Sequence, residues 1–305
     1  DRELAKFYRL AAVRQLVHWE QFTRELDGGD ADRLAQSAAG IADILPFEVA
    51  GARVGKFALS SAFRSLKAGR LDFTLPATRS VLVEHLRSGA ARAHAAHRLL
   101  DAVRPELALF MGNRYSGQGE LMDVCLSRGV DVLTWFDAHR SSALMLKRYR
   151  VDNRDRHHGS ISDETWAELC AMPWGPEQRD DLSREYAINY AAGDWYSRGG
   201  TQVNKRVIDP SHLRERLGLD PARKTAVIFP HILWDATLFW GEDLFSNYED
   251  WLVETVKAAA ANARWRLSAR AKRAARCLRC CCATSPWKLT PSTNARNSSP
   301  RGRRA

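Results

Sequence analysis

The sequence lacks any run of about 18 uninterrupted apolar residues, the length that a membrane-spanning helix needs. No basic-then-apolar leader opens the chain. Cysteines are few in the first 262 residues, where only Cys125 and Cys170 occur, so no disulfide framework is expected. These absences favour a cytoplasmic protein over a membrane-spanning or secreted one. Because no initiator Met is present, we also expect the sequence to start inside a longer reading frame.

Acidic residues are absent after Glu254. Residues 263–305, called the basic tail below, contain 12 basic residues, whereas residues 1–262 contain 34 basic and 36 acidic residues. The formal net charge of +10 therefore comes from the tail, and the rest of the chain is close to neutral. One interpretation is a basic arm that docks on a polyanion. The tail lacks interleaved aromatic residues, so no specific nucleic-acid partner is expected.

The basic tail also holds four of the six cysteines, at Cys277, Cys280, Cys281 and Cys282. The Cys-x-x-Cys spacing suits tetrahedral thiolate ligation, but no second ligand pair follows at a distance, so we expect no metal site. We favour a third interpretation, in which the tail is a disordered, low-complexity segment read out of frame from GC-rich DNA. Regular apolar spacing ends at Asn262, and Arg, Ala, Ser, Cys and Pro dominate afterwards.

The rest of the chain has the composition of a packed protein, with 45% hydrophobic residues over the whole sequence. Apolar spacing predicts a long helix over 78–103. The runs 107–111 and 130–136 are typical of strands buried on both faces, and a helix is predicted between them over 120–127. This β-loop-α-β order is the unit of a parallel sheet, so the sequence predicts an α/β fold.

A second β/α segment is predicted further along the chain. Asp209-Pro210 opens a helix that Gly218 closes, and the apolar run 225–229 is predicted as another buried strand. A helix over 248–262 follows. We therefore predict three regions, which are an N-terminal Rossmann-like domain with helical additions over 1–219, the beginning of an incomplete second domain over 220–262, and the basic tail.

A glycine-bearing loop, residues 112–119, follows the first predicted strand and includes Gly117 and Gly119. Its backbone N–H groups and the following helix N-terminus could cradle a phosphate. The loop matches neither the dinucleotide-binding fingerprint nor the P-loop. The alternative is a tight strand-to-helix turn.

Asp137 and His139 follow the second predicted strand, at the strand end where parallel sheets bind ligands. A carboxylate and an imidazole there could act as general base on a sugar hydroxyl. The alternative is a helix cap beside a surface histidine.

The loop 230–237 follows the predicted strand 225–229 and contains His231, Trp234 and Asp235. Aromatic faces with a few hydrogen-bonding groups suit a sugar or a nucleobase. The alternative is a small aromatic core with a capping Asp.

Two stretches carry a resemblance to a known family. Tyr115-Ser116-Gly117-Gln118-Gly119-Glu120 through Trp135-Phe136-Asp137-Ala138-His139-Arg140 is the first, and Phe229-Pro230-His231-Ile232-Leu233-Trp234-Asp235-Ala236 through Trp251 is the second. They resemble bacterial capsule polysaccharide biosynthesis proteins, which are glycosyltransferase-like proteins of GT-B architecture. The resemblance implies two Rossmann-like domains facing across a cleft. It also implies a nucleotide-sugar donor as substrate rather than a cofactor, and a glycan acceptor.

The resemblance implies site residues at the matching positions. Asp137 or His139 would orient or deprotonate the acceptor hydroxyl, and His231, Trp234 and Asp235 would line the donor side, with Gly117 and Gly119 in the substrate-binding loop. The sequence departs from the family after Asn262, where no Lys-x-His-Pro element occurs. We therefore expect a truncated or frameshifted, inactive glycosyltransferase, with peripheral association to the inner face of the membrane.

Two other functions stay open at this point. One is a non-catalytic β/α binding module whose basic tail binds a polyanion. The other is a sugar-nucleotide epimerase, since some of these enzymes share the two-domain architecture.

Overall fold

A computed structural model describes residues 15, 17–24, 28–138, 143–192, 209–220, 222, 227–239 and 244–261. The basic tail lies outside these residues, as does His139. The chain divides into two compact units, the first comprising Asp1–Val207 with Val227–Lys257 and the second Ile208–Ala226 with Ala258–Ala305. The predicted domain boundaries at residues 219 and 262 stay a prediction.

The first unit consists mainly of helices around a small sheet. Its described helices and strands, in chain order, are a single 3₁₀ turn at Trp19–Gln21, α1 (Gly29–Ser37), α2 (Ile41–Ile44), α3 (Val54–Leu66), α4 (Pro76–Val103), β1 (Leu107–Phe110), α5 (Gln118–Ser127), β2 (Asp131–Asp137), β3 (Leu144–Tyr149), α6 (Asp163–Ala171), α7 (Pro176–Ala192) and most of α9 (Tyr248–Ala261). The described part of the second unit contains α8 (Pro210–Leu217) and the last turn of α9. In the described ranges, no helix combines the length and the apolarity needed to span a membrane.

The long helix α4 forms where apolar spacing predicts it. Pro76 occupies the first turn, where its missing N–H breaks no helical hydrogen bond. Leu82, Leu86 and Leu100 are buried on one side, and the helix ends at Arg104 in the left-handed conformation, immediately before Pro105. Helix α3 packs against α4, and its residues 57–63 are all buried.

The sheet confirms the predicted β-loop-α-β unit. Strands β1 and β2 pair in parallel, with Leu107 opposite Asp131 and Phe110 opposite Thr134, and α5 crosses between them. Strand β3 then pairs with β2 in antiparallel fashion, so the three-stranded order is β1-β2-β3. The described part of the chain is therefore a mixed α/β fold.

Among the described residues, helices cover one face of this sheet. Phe110, Val132 and Tyr149 point to the core formed with the helices, and they are buried. The opposite face, called the open sheet face below, carries Leu107, Leu109, Leu133, Trp135, Leu144 and Leu146, together with the charged residues Asp131, Asp137 and Arg148. Leu109 is 59% exposed and Leu146 is 63% exposed. The prediction that β1 is buried on both faces is therefore wrong, because the described helices leave Leu107 and Leu109 exposed.

The predicted strand 225–229 is also wrong over its described residues. Residues 227–230 have no regular secondary structure, and Phe229 is 82% exposed. Apolar residues alone do not make a strand, since each strand needs a neighbour to take its backbone hydrogen bonds. The residues that follow pack differently, because Leu233, Ala236 and Phe239 are buried in the first unit.

Candidate functional site

The glycine loop is held by hydrogen bonds within the protein. Gly117 adopts a φ of +104°, and its N–H donates to Glu120 Oε2 at 2.5 Å. The N–H of Ser116 donates to Ser61 Oγ at 2.9 Å, and that of Gly119 donates to the Tyr115 carbonyl oxygen at 3.0 Å. Because these three N–H groups already have partners, the structure favours a tight turn over a backbone phosphate cradle.

Gly119 is required by close packing on α3. A Cβ atom at this position would lie 2.3 Å from the ring of Phe57, far inside normal contact distance. The glycine lets the start of α5 press against α3. Its role as a substrate-binding residue stays a prediction.

The second candidate loop packs on the same side of α3. Phe239 stacks on Phe57 with ring centroids 5.5 Å apart and an angle of 17° between the rings. Ala236 lies beside them in the left-handed conformation, with a φ of +50°. A small aromatic cluster therefore fixes residues 233–239 to α3. The alternative interpretation of this loop predicted a small aromatic core of this kind.

The two loops meet at one hydrogen bond. The Tyr115 hydroxyl donates to Asp235 Oδ1 at 2.8 Å, across 120 residues of sequence. Burial, followed by the neighbouring Asp235 carboxylate, raises the pKa of Tyr115 above its ordinary value of 10.0. The Arg64 guanidinium lies 4.7 Å from the centroid of the Tyr115 ring. A phenol that keeps its proton is a stable donor to Asp235, so Tyr115 orients this carboxylate.

His231 and Trp234 flank this junction in sequence. His231 Nδ1 donates to the Ile232 carbonyl oxygen at 2.9 Å, and the ring lies 4.3 Å from that of Tyr248. Its side chain is exposed, and Trp234 is half-buried. In the neutral imidazole, the Nδ1 hydrogen bond leaves Nε2 as the acceptor nitrogen.

Of the first pair of predicted catalytic residues, the sheet places Asp137. Asp137 is the last residue of β2 and pairs with Leu144 on β3. His139 lies outside the described residues. The predicted roles of both residues stay predictions.

Basic side chains lie beside the junction, and the sequence patterns did not single them out. Arg114 is buried and donates to the carbonyl oxygens of Arg154 and Arg156 and to the Tyr149 hydroxyl. Arg114 and Lys56 both lie over the ring of Phe239, at 5.3 and 4.7 Å. Lys56 lies in a mostly apolar helix that also carries Arg64, and lysines are ordinarily solvent-exposed, so no local pattern marks Lys56.

In the described ranges, no group of three or more His, Cys, Asp or Glu side chains is placed to hold a metal ion. Cys125 is buried, Cys170 is exposed, and both are free thiols. Burial raises the pKa of Cys125 to about 11, so this thiol is a poor nucleophile at neutral pH.

Comparisons of the chain with protein-family models, with curated proteins and with solved structures found no match.

Proposed function

We propose that the chain is a GT-B-like glycosyltransferase of capsule or surface polysaccharide biosynthesis, which handles a nucleotide-sugar donor and a glycan acceptor. The observation that supports the proposal is the hydrogen bond between Tyr115 and Asp235. The two sequence stretches that carry the resemblance are far apart in the chain, and this bond joins them. The GT-B-like two-domain architecture belongs to the same proposal, and so does a cytoplasmic location at the inner face of the membrane.

Asp235 is the carboxylate that we assign to the donor side, where it would accept a hydrogen bond from a hydroxyl of the transferred sugar. The acceptor hydroxyl oxygen would attack the anomeric carbon, and the bond from that carbon to the diphosphate oxygen would break. The leaving nucleoside diphosphate would take the bonding electron pair, and the hydroxyl proton would pass to Asp137 or His139. Tyr115 holds one oxygen of the Asp235 carboxylate, which limits its rotation.

The remaining candidates complete the proposed site. Trp234 would offer an aromatic face to a sugar ring, and His231 would accept a hydrogen bond from a sugar hydroxyl through Nε2. Asp137 or His139 would orient the acceptor. Positive charge is needed where the diphosphate departs, and Lys56 and Arg114 lie on the Phe239 side of the junction.

Binding of nucleotide-sugars tests this proposal directly. We expect the purified 305-residue chain to bind at least one member of a panel of nucleotide-sugars in saturation-transfer NMR. Asp235→Asn removes the charge and keeps the shape, and we expect about tenfold weaker binding, since a hydrogen bond to a charged group contributes about 1.5–3 kcal/mol.

The matched control is Asp152→Asn, which removes a carboxylate from an exposed position. We expect this variant to bind as the unmodified chain does. Failure of every nucleotide-sugar to bind at millimolar concentration would contradict the proposal, as would equal binding by the Asp235→Asn and Asp152→Asn variants.

A further inference from the structure

Two cations at the start of α3 share an unusual set of partners. Arg53 is the residue before the first turn of this helix, and Lys56 follows within the turn. Arg53 Nε donates to Asp123 Oδ2 and Arg53 Nη2 donates to Asp123 Oδ1, both at 2.8 Å. The Asp123 side chain is only 1% exposed. This bidentate pair is complete by itself and fixes the plane of the guanidinium group.

The remaining donors point to a second carboxylate. Arg53 Nη1 donates to both oxygens of Asp155, at 2.7 and 2.9 Å, and Lys56 Nζ donates to Asp155 Oδ1 at 2.8 Å. The two cationic side chains are 11% and 16% exposed, whereas the Asp155 side chain is 49% exposed. Asp155 lies on the turn between β3 and α6. It is therefore the member of the group that can leave without unfolding a helix.

Basic side chains outnumber acidic ones around Arg53 and Lys56. Arg114 and Lys56 share the face of Phe239, and Arg154 Nη1 lies 3.7 Å from Asp123 Oδ1. Within this set of side chains, four cations accompany the two carboxylates Asp123 and Asp155. Burial lowers the pKa of Lys56 below its ordinary value of 10.5, despite its hydrogen bond to Asp155. The hydrogen bond to Asp155 and the charge of its carboxylate oppose this lowering.

We propose that Arg53 and Lys56, with Arg114 close by, form a binding site for a phosphate or diphosphate group, and that Asp155 occupies this site as an internal anion which the ligand displaces. An oxyanion of phosphate can take the donors Arg53 Nη1 and Lys56 Nζ as the carboxylate does, and it brings a larger negative charge. The half-exposed Asp155 side chain then acts as an internal competitor, so the site favours ligands of high charge over single carboxylates.

This inference deepens the proposed function, and it rests on that function for the identity of the larger ligand, a nucleotide-sugar bound through its diphosphate. The N–H groups of residues 116, 117 and 119 in the glycine loop are already bonded within the protein. In this proposal, the side chains of Arg53 and Lys56 supply the phosphate contacts.

Calorimetric titration of the full chain with inorganic pyrophosphate, at physiological salt concentration, tests the site. We expect Lys56→Met to weaken binding by about tenfold or more, because it removes one hydrogen bond to a charged group. We expect Asp155→Asn to tighten binding by about three- to tenfold, because the internal competitor loses its charge. The exposed pair of Lys257 and Glu254 provides the control, and we expect Lys257→Met to change nothing.

The basic tail is the same in every variant, so differences in pyrophosphate binding between variants isolate the site at the start of α3. Urea unfolding and circular dichroism of each variant report whether it folds. If Asp155 were only a structural partner, Asp155→Asn would be destabilised without any gain in affinity, and that result would overturn the proposal. Equal affinity of folded Lys56→Met and the unmodified chain would overturn it too.

The outcomes separate this inference from the proposed function. Pyrophosphate binding that depends on Lys56, without binding of any nucleotide-sugar, would support the anion site and contradict the glycosyltransferase. Nucleotide-sugar binding that Lys56→Met leaves unchanged would support the proposed function and contradict the anion site.

Discussion

Glu120 is a carboxyl group with no exposure to solvent. Its Oε2 accepts the N–H of Gly117, and its Oε1 is buried without a hydrogen-bond partner among the described residues. Burial raises the pKa of Glu120 above its ordinary value of 4.5, because a buried charge is costly. The glycine loop is therefore held by an acid whose ionisation is disfavoured by burial.

The raised pKa gives the stability of the protein a particular pH dependence. The contribution of Glu120 is fully present below pH 4.5 and is lost as the pH rises through the raised pKa of the folded state. Glu120→Gln cannot ionise, so we expect its unfolding free energy to lack this loss, which amounts to about 1.4 kcal/mol per unit of pKa difference. Urea unfolding across this pH range measures it.

Glu168 on α6 is an exposed residue of the same type, and Glu168→Gln is the control. We expect this control to keep the pH dependence of the unmodified chain. Parallel pH profiles for Glu120→Gln and the unmodified chain would show that Glu120 does not titrate as described.

Among the elements, α3 is the one that assembles the candidate site. Phe57 contacts both loops, since it packs on Gly119 at the start of α5 and stacks on Phe239. Arg53 and Lys56 extend from the same helix towards Asp155. The positions of both loops thus depend on α3, although neither loop is adjacent to this helix in the sequence.

Phe239 is the anchor of the second loop. We expect Phe239→Ala to speed amide hydrogen exchange across residues 233–239 by about tenfold or more, because a fully buried Phe side chain contributes roughly 1.5–3 kcal/mol. Exchange in β1 and β2 should stay unchanged. Hydrogen-exchange mass spectrometry measures both, and Phe229→Ala, at an exposed position before the loop, is the control. Uniformly faster exchange across the sheet would contradict this local role.

At this scale, the sequence predicted the β-loop-α-β unit because its signals are local. Apolar runs mark β1 and β2, and glycine marks the turn before α5. The prediction that β1 is buried on both faces was wrong, because the elements that cover a strand can be distant from it in the chain. Asp235 was singled out from its aromatic neighbours, but Tyr115 and Lys56 were not, since their partners are far away in sequence and no spacing rule links them.

For the whole molecule, the open sheet face is the largest apolar feature described above. Flat apolar sheet surfaces promote association between copies of a chain. We expect the protein to self-associate with rising concentration, and we expect Leu146→Glu to raise the concentration needed by about tenfold, because it places a charge in this face. Analytical ultracentrifugation measures the effect.

Gln178→Glu adds the same charge on the exposed helix α7 and serves as the control, which we expect to associate as the unmodified chain does. A chain that stays monomeric at every concentration would contradict the expectation. An equal effect of both variants would assign the change to net charge rather than to the sheet face.

The bond between Tyr115 and Asp235 has a consequence for biosynthesis. By the time residue 137 has left the ribosome, α3, α4, α5 and the parallel strand pair have all been made, whereas Asp235 follows about 100 residues later. At typical elongation rates of about 5–20 residues per second, the scaffold has several seconds in which to fold before Asp235 is made. The entropic cost of closing a loop grows only with the logarithm of its length, so closing this long segment costs little more free energy than closing a short one. Nascent chains stalled before residue 235 should therefore already carry a protease-resistant N-terminal scaffold.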